Sequence, residues 1–300
     1  MSEGGAAELV LRGRRFAPSQ FPLVMGILNV TPDSFSDGGE HFDLSDAVGH
    51  ALEMIRDGAD IIDVGGESTR PGATATPAEE QIRRTVPVIK AIRSRDEAIP
   101  ISIDTRSASV AEAALEVGAD LINDISAFRD DPEMVRLAAG SGAPAVLMHR
   151  KGTSATMQAH GGPQYDDVVG EVCDFVAERV RYAVDHGVES SRLIIDPGIG
   201  FGKRVEHNMS ILRHLDRFVA LGHPVLVWAS RKSFIGKVLN GAIERDGRSG
   251  GYTDDPKRRE GASLACVVMA AMAGAAIVRV HSIRPAVEAI RLCSAVKQAE

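Results

Sequence analysis

The chain is poor in cysteine, in aromatics and in long apolar runs, and each shortage narrows what it can be. Three cysteines occur in 300 residues, Cys173, Cys266 and Cys293. They are scattered and odd in number, so they suggest neither a disulfide framework nor a metal knuckle. Reduced thiols of this kind point to a cytoplasmic protein. Aromatic residues make up 4%, with one tryptophan, Trp228. The 44% of hydrophobic residues must therefore build an aliphatic core. No apolar run follows a basic segment at the start, so no secretory signal is expected. The longest apolar stretch, 264–280, is rich in Ala and Gly and carries Arg279. It reads as a buried helix and strand, not a membrane span. Positive charge is in deficit, with 34 Lys and Arg against 41 Asp and Glu, a net −7. That balance argues against non-specific nucleic-acid binding. There is no His-x-x-x-His or Cys-x-x-Cys pair, which argues against zinc. There is no Gly-x-Ser-x-Gly elbow, which removes the case for a serine hydrolase triad.

What is present is one repeating cycle. A short β-branched or Leu-rich run ends in polar residues, and an Ala-rich amphipathic helix follows. Strands are predicted at 23–29, 60–65, 99–104, 120–124, 144–149, 192–196, 224–229 and 277–281. Helices are predicted at 45–57, 78–94, 107–117, 131–140, 165–186, 206–220, 231–240 with 257–274, and 284–297. Eight such units of roughly 35 residues predict a single-domain (β/α)₈ TIM barrel over 23–300. A doubly wound open sheet is the competitor. Residues 1–22 read as a tail or hairpin, and 241–256, rich in Gly and Asp, as an insertion.

In a parallel barrel the chemistry sits at the C-terminal ends of the strands. Those ends carry Asn29, Asp63, Asp104, Asn123 with Asp124, His149, Asp196, Ser230–Ser233, and Arg279 with His281. Any one of them has an ordinary reading as a helix cap or a satisfied interior carboxylate. For Asp63 and Asp124 that is the preferred reading. So many converging on one mouth exceed what packing requires. Arg279 and His281 are two apart on a strand and share a face, a good clamp for phosphate. Ser230 opens a helix whose free N–H groups, with Lys232, attract an anion. Asp104, Asn123 and Asp196 have donors and acceptors for the edge of a flat heterocycle. Met148 and Phe201 are candidates to wall that pocket, although each alone reads as core. The remaining histidines, His41, His50, His160, His186, His207, His214 and His223, read as surface residues. Loops 31–39 and 67–73 together read as a candidate lid.

The motifs NVTPDSFSDGG (29–39), DVGGESTRPGA (63–73), SIDT (102–105), IND (122–124), DPGIGFGK (196–203), SRKSFIG (230–236) and RVH (279–281) resemble the dihydropteroate synthases. The resemblance runs in register from about residue 23 to the end. It implies a transferase of folate synthesis that joins 6-hydroxymethyl-7,8-dihydropterin diphosphate to 4-aminobenzoate and releases pyrophosphate. It implies a pterin site of Asp104, Asn123, Met148, Asp196, Phe201 and Lys232. Asn29, Arg279 and His281 match the pyrophosphate site, with Mg²⁺ on Asn29. Phe35, Thr69, Arg70, Pro71 and Ser233 match the aminobenzoate pocket, the sulfonamide target, and Asp37 a loop support. Catalysis would rest on Arg279, His281, Lys232 and Asp104. The family also implies a homodimer, small-molecule substrates, and neither nucleic acid nor membrane as partner.

Two positions depart from the family pattern. Trp228 stands where a glycine is common, near the implied pterin floor, and Ser282 where an aspartate is usual. A pterin-dependent methyltransferase on the same barrel is the nearest rival, but it has no use for the aminobenzoate loops. A catalytically silent relative should lack Asn29, Arg279 or Lys232, and all three are present.

Overall fold

The computed structural model describes residues 8–20, 22–31, 44–67, 75–152, 163–245 and 255–299. Eight strands are parallel: β3 (Leu23–Asn29), β4 (Ile61–Gly65), β5 (Ile101–Asp104), β6 (Leu121–Asp124), β7 (Ala145–Met148), β8 (Leu193–Asp196), β9 (Leu226–Val227) and β10 (Ile277–Val280). They follow one another in the order β8-β7-β6-β5-β4-β3-β10-β9. A parallel bridge from Ile195 to Val225, just before β9, closes the ring. This is the predicted (β/α)₈ barrel. Two strands precede it, β1 (Leu9–Leu11) and β2 (Arg14–Phe16), paired antiparallel with Leu9 opposite Phe16.

The period of two along each strand sorts side chains into layers. Met25, Ile61, Leu121, Val146, Ile194, Leu226 and Ile277 fill the barrel together with Leu9, Leu11 and Phe16 of the hairpin. The hairpin thus plugs the barrel floor. Each large aliphatic side chain so buried contributes about 1.5–3 kcal/mol. Two residues further along, the inward position becomes Asp63, Asn123, Met148, Asp196, Trp228 and Arg279. The floor is apolar and the next layer is largely polar, so the chemistry is confined to the mouth.

The outward faces of the strands pack under α1 (Leu44–Arg56), α2 (Ala78–Arg93), α3 (Ala108–Glu116), α4 (Glu133–Ser141), α5 (Val168–Asp185), α6 (Val205–Arg213), α7 (Leu215–Val219), α8 (Ser233–Arg245), α9 (Glu260–Ala273) and α10 (Ile283–Gln298). Their starts have local causes. Asp167 caps α5, accepting from the N–H groups of Val169 and Gly170 at 3.1 and 3.0 Å.

Four expectations need correcting. The helix predicted over 206–220 is two, because His214 leaves helical geometry at φ −118° and ψ 35°. The helix after β9 starts at Ser233, not at 231, and runs on to Arg245. The strand predicted over 224–229 pairs only through Leu226–Val227, so Trp228 lies beyond the ladder. His207 is buried, not a surface residue. Its Nδ1 accepts from the Arg204 N–H at 3.1 Å, capping α6, and its ring stacks edge-on against Tyr165. The insertion read at 241–256 lies mostly outside the described residues, which resume at Asp255.

Candidate active site

The centre of the mouth is an ion triad. Arg279 donates from Nε to Asp63 Oδ2 at 2.6 Å and from Nη2 to Asp104 Oδ2 at 2.6 Å. Arg279 is 2% exposed and Asp63 is fully buried. Asn123 Nδ2 donates to both Asp63 oxygens at 3.3 Å. Burial works against the Arg279 charge, but the two carboxylates more than offset it and hold the guanidinium above its ordinary range. Burial pushes the Asp104 carboxyl upward; Arg279 draws it back, and Asp63 and Glu67 push it up again. Removing one member of such a buried set leaves the others uncompensated. Arg279 Nη1 donates to no described group, so one edge of the guanidinium remains for a ligand.

Beside the triad, the turn after β8 is built around Asp196. Its Oδ1 accepts from the Gly198 N–H at 2.6 Å, and burial pushes its carboxyl up to about 6. A Cβ on Gly198, at φ +67°, would meet the His149 carbonyl oxygen at 1.8 Å. A Cβ on Gly202, at φ +59°, would meet the Lys151 carbonyl oxygen at 2.1 Å. The glycines of this motif therefore let two loops lie backbone to backbone. Lys203 locks the same junction from inside. Its buried Nζ donates to His149 Nδ1 at 2.8 Å and to the Gly198 carbonyl at 2.8 Å. Burial pulls the Lys203 ammonium down to about 7 and pulls His149 well below its usual range. His149 therefore does not face the mouth as a free strand-end imidazole; its ring lies edge-on to Phe175, with centroids 4.8 Å apart.

The apolar side of the mouth is Ile125, Met148 and Phe201, with Trp228 packed against them. The predicted pterin residues Asp104, Asn123, Met148, Asp196, Phe201 and Lys232 thus meet around one space. Lys232 Nζ lies 4.0 Å over the Phe201 ring and 3.0 Å over the Trp228 ring. Burial and the nearby Arg279 hold its ammonium well below the ordinary lysine range.

The expected phosphate clamp and capped helix are arranged differently. Ser230 does not open α8; its Oγ sits 2.9 Å from His281 Nδ1 and accepts from the His281 backbone N–H at 3.3 Å. Ser230 thus orients the imidazole, and Ser233 stands at the helix start. Arg231 takes φ +58° because three partners hold it. Its N–H donates to Ser263 Oγ at 2.9 Å, Nε to Glu260 at 2.8 Å and Nη2 to Ser282 Oγ at 3.0 Å. Ser282 therefore supports the loop that carries Lys232. Asn29 ends β3 beside Gly65, where an added Cβ would stand 3.8 Å from Asn29 Oδ1 and 3.4 Å from the Asp104 β-carbon.

Asp124 has the ordinary role expected for it, accepting from the N–H groups of Ser126 and Phe128 at 2.7 and 2.8 Å. Asp63 is a satisfied interior carboxylate, as expected, but its partner is Arg279, which makes it part of the site. Lys203, the last residue of the DPGIGFGK turn, carries no positional signal in the sequence. Phe35, Asp37, Thr69, Arg70 and Pro71 lie outside the described residues. Glu67, which is described, accepts from Arg106 at 2.8 Å, and Arg106 also holds Asp130, which pairs in turn with Arg150.

A parallel barrel whose mouth sets acceptor side chains and two cations against an apolar wall is built for a flat, polar-edged ring. The chain matches the pterin binding enzyme family over residues 25–281. It is 47% identical over 279 residues to the dihydropteroate synthase of Escherichia coli K12, covering 93% of both chains. Two solved structures are similar over most of the chain. The Xanthomonas albilineans dihydropteroate synthase with 4-aminobenzoic acid gives a TM-score of 0.86 at 42% identity, covering 98% of this chain and all of that one. The Yersinia pestis enzyme with a sulfonamide drug gives 0.87 at 41%, covering 97% and all of it. The protein is a pterin-binding transferase. Within that class it belongs to the dihydropteroate synthase family.

Proposed function

We propose that this chain condenses 6-hydroxymethyl-7,8-dihydropterin diphosphate with 4-aminobenzoate to give 7,8-dihydropteroate and pyrophosphate, a step of folate synthesis. The observation that carries this reading is the closed set of Asp104, Asn123 and Asp196 beside Arg279 and Lys232 over the Met148–Phe201 wall. Acceptor oxygens of Asp104 and Asp196 take the ring N–H groups of the pterin, and Asn123 and Lys232 supply donors. Arg279 Nη1 and His281 face the diphosphate and stabilise the charge that grows on it. The methylene C–O bond breaks, and its electron pair leaves with the diphosphate. The resulting cation is delocalised into the pterin ring. The aromatic amine of 4-aminobenzoate attacks it, forms the C–N bond and gives up a proton. No protein nucleophile is required. The start of α8 at Ser233 receives the aminobenzoate carboxylate. A sulfonamide is expected to compete there.

Mg²⁺ suits the residues present. Among the described residues no group of three or more His, Cys, Asp or Glu side chains stands ready to hold a metal. Asn29 offers a single neutral oxygen, which suits an ion that keeps few protein ligands and arrives with phosphate oxygens. Bound there, the ion would neutralise diphosphate charge.

The test is pyrophosphate release by the purified protein. Release should require Mg²⁺, rise with 4-aminobenzoate and be matched by dihydropteroate. A folded protein that binds pterin but releases nothing would overturn the synthase reading.

Asp196 makes pterin binding pH-dependent. Its carboxyl must be ionised to accept, and burial raises it from 3.8 to about 6. Pterin affinity should therefore hold above that pH and fall as pH drops through about 6. Stability runs the other way. This group's contribution is greatest below about 4 and is lost as pH rises through 6. Calorimetric titration across this range should show the inflection, and Asp196→Asn should weaken binding and leave only the dependence that the likewise raised Asp104 carboxyl supplies.

A homodimer and a cytoplasmic location belong to the same proposal. The outer face of α9 and α10 exposes Met269, Met272, Leu292 and Val296, and Lys297 Nζ joins the two helices at the Ala271 carbonyl. Exposed apolar side chains of this kind favour self-association. Sedimentation should give twice the 31.9 kDa chain mass. Cys173, Cys266 and Cys293 are buried free thiols, which suits a reducing compartment. No described helix is long and apolar enough to cross a membrane.

A further inference from the structure

Trp228 is the only tryptophan in the chain, and it projects into the barrel mouth two residues beyond the inward Leu226. Its ring touches the very groups that the proposed site assigns to a flat heterocycle. Lys232 Nζ lies 3.0 Å from the ring centroid, Arg279 Cζ 4.1 Å, and the Phe201 ring 5.5 Å at a tilt of 50°. The Lys232 ammonium donates no hydrogen bond to any described group, although Asp104 and Asp196 are both near enough to act on its charge. It rests on the indole instead. Cation–aromatic contact of this kind is favourable, most of all with tryptophan.

The polar end of the same ring is badly served. The indole Nε1 is out of water and has no hydrogen-bond partner. A permanently buried tryptophan normally satisfies that N–H. A ring that is well stacked but unbonded at its edge has the marks of a stand-in. Its backbone lies just past the ladder of β9, which ends at Val227. The side chain is only half-buried, so it has a route outward to solvent.

We propose that Trp228 is a self-ligand of the pterin slot and a specificity-determining residue for the reaction. In the free enzyme the indole occupies the slot between Phe201, Lys232 and Arg279. A pterin displaces it because a pterin brings what indole lacks: several edge donors and acceptors that reach Asp104, Asn123 and Asp196. That difference in affinity drives the rotation. Rings without the polar edge have nothing to offset the loss of the indole stack and are rejected. The apparent affinity for pterin is lowered by the fraction of time the slot is filled. The inference rests on the reading of this mouth as a pterin site.

The test uses the single tryptophan. Protein made with 5-fluorotryptophan has one ¹⁹F resonance, and its shift between H₂O and D₂O reads exposure of the ring. Titration with 6-hydroxymethylpterin, which lacks the diphosphate and cannot react, should move the resonance and increase the solvent shift. Trp228→Gly should bind this pterin about tenfold tighter or more, as an unblocked slot requires. Trp228→Phe keeps a ring on the cations and should stay close to the parent. If pterin binds with no gain in solvent shift, or if Trp228→Gly binds equally or more weakly, Trp228 is a fixed wall and the proposal fails. If neither the parent nor Trp228→Gly binds pterin, the pterin reading itself fails. Should Trp228→Gly not fold, the ¹⁹F result decides alone.

Discussion

Arg279→Ala is expected to lower kcat/KM about a hundredfold to a thousandfold, the usual loss when one charge-stabilising donor is removed. It is also expected to cost about 3–5 kcal/mol of stability, the usual result of breaking a buried ion set. The two effects have one origin. The guanidinium sits between Asp63 and Asp104 at 2.5 and 2.6 Å, so alanine leaves two buried carboxylates facing each other. A separate double variant, Arg279→Ala with Asp63→Asn, distinguishes the two effects. It removes one uncompensated charge and should recover part of the stability while turnover stays low. Urea unfolding and steady-state kinetics on the same preparations measure both. A folded Arg279→Ala enzyme with near-normal turnover would remove this residue from the mechanism.

The layered geometry explains why some of this site was legible in the chain and some was not. Alternation along a strand tells which residues turn inward, and the strand ends tell which inward residues reach the mouth. Asp104, Asn123, Asp196 and Arg279 were therefore readable from position and type alone. Asp63 obeys the same rule, two residues beyond the inward Ile61, and that spacing was the signal for it. Its partner was invisible, because Arg279 lies 216 residues away and only ring closure brings β10 beside β3. Lys203 carried no such signal. It sits in a turn, where no period applies, and its acceptors are backbone carbonyls and a histidine from the preceding strand end. Ser230 reads in the sequence as a helix cap, and its role beside His281 was not legible there. The difference lies in α8 starting three residues later, which capping statistics do not resolve. The break at His214 is of the same kind, since a 206–220 helix and two shorter ones share one apolar pattern.

Among the described glycines, Gly198→Ala is expected to be the most damaging added methyl group, for a reason the layers do not supply. Two costs add. The first is conformational, because alanine at φ +67° is disfavoured by about 1–2 kcal/mol. The second is steric, because the new Cβ would stand 1.8 Å from the His149 carbonyl oxygen, and backbone must move. That movement cannot stay local. Lys203 Nζ bonds both sides of the junction, the Gly198 carbonyl and His149 Nδ1, so parting them strands a buried ammonium. Losing even one such bond to a buried charged group costs about 1–3 kcal/mol. A total of about 4 kcal/mol or more is expected, with pterin affinity falling in step, because the Gly198 N–H also orients Asp196. Gly222→Ala is the control. Its φ is +82° with nothing within 4 Å of the new Cβ, so it bears the conformational cost alone. Urea midpoints of the two variants isolate the steric part. Equal losses would mean that the two loops part freely and that the Lys203 junction holds nothing together.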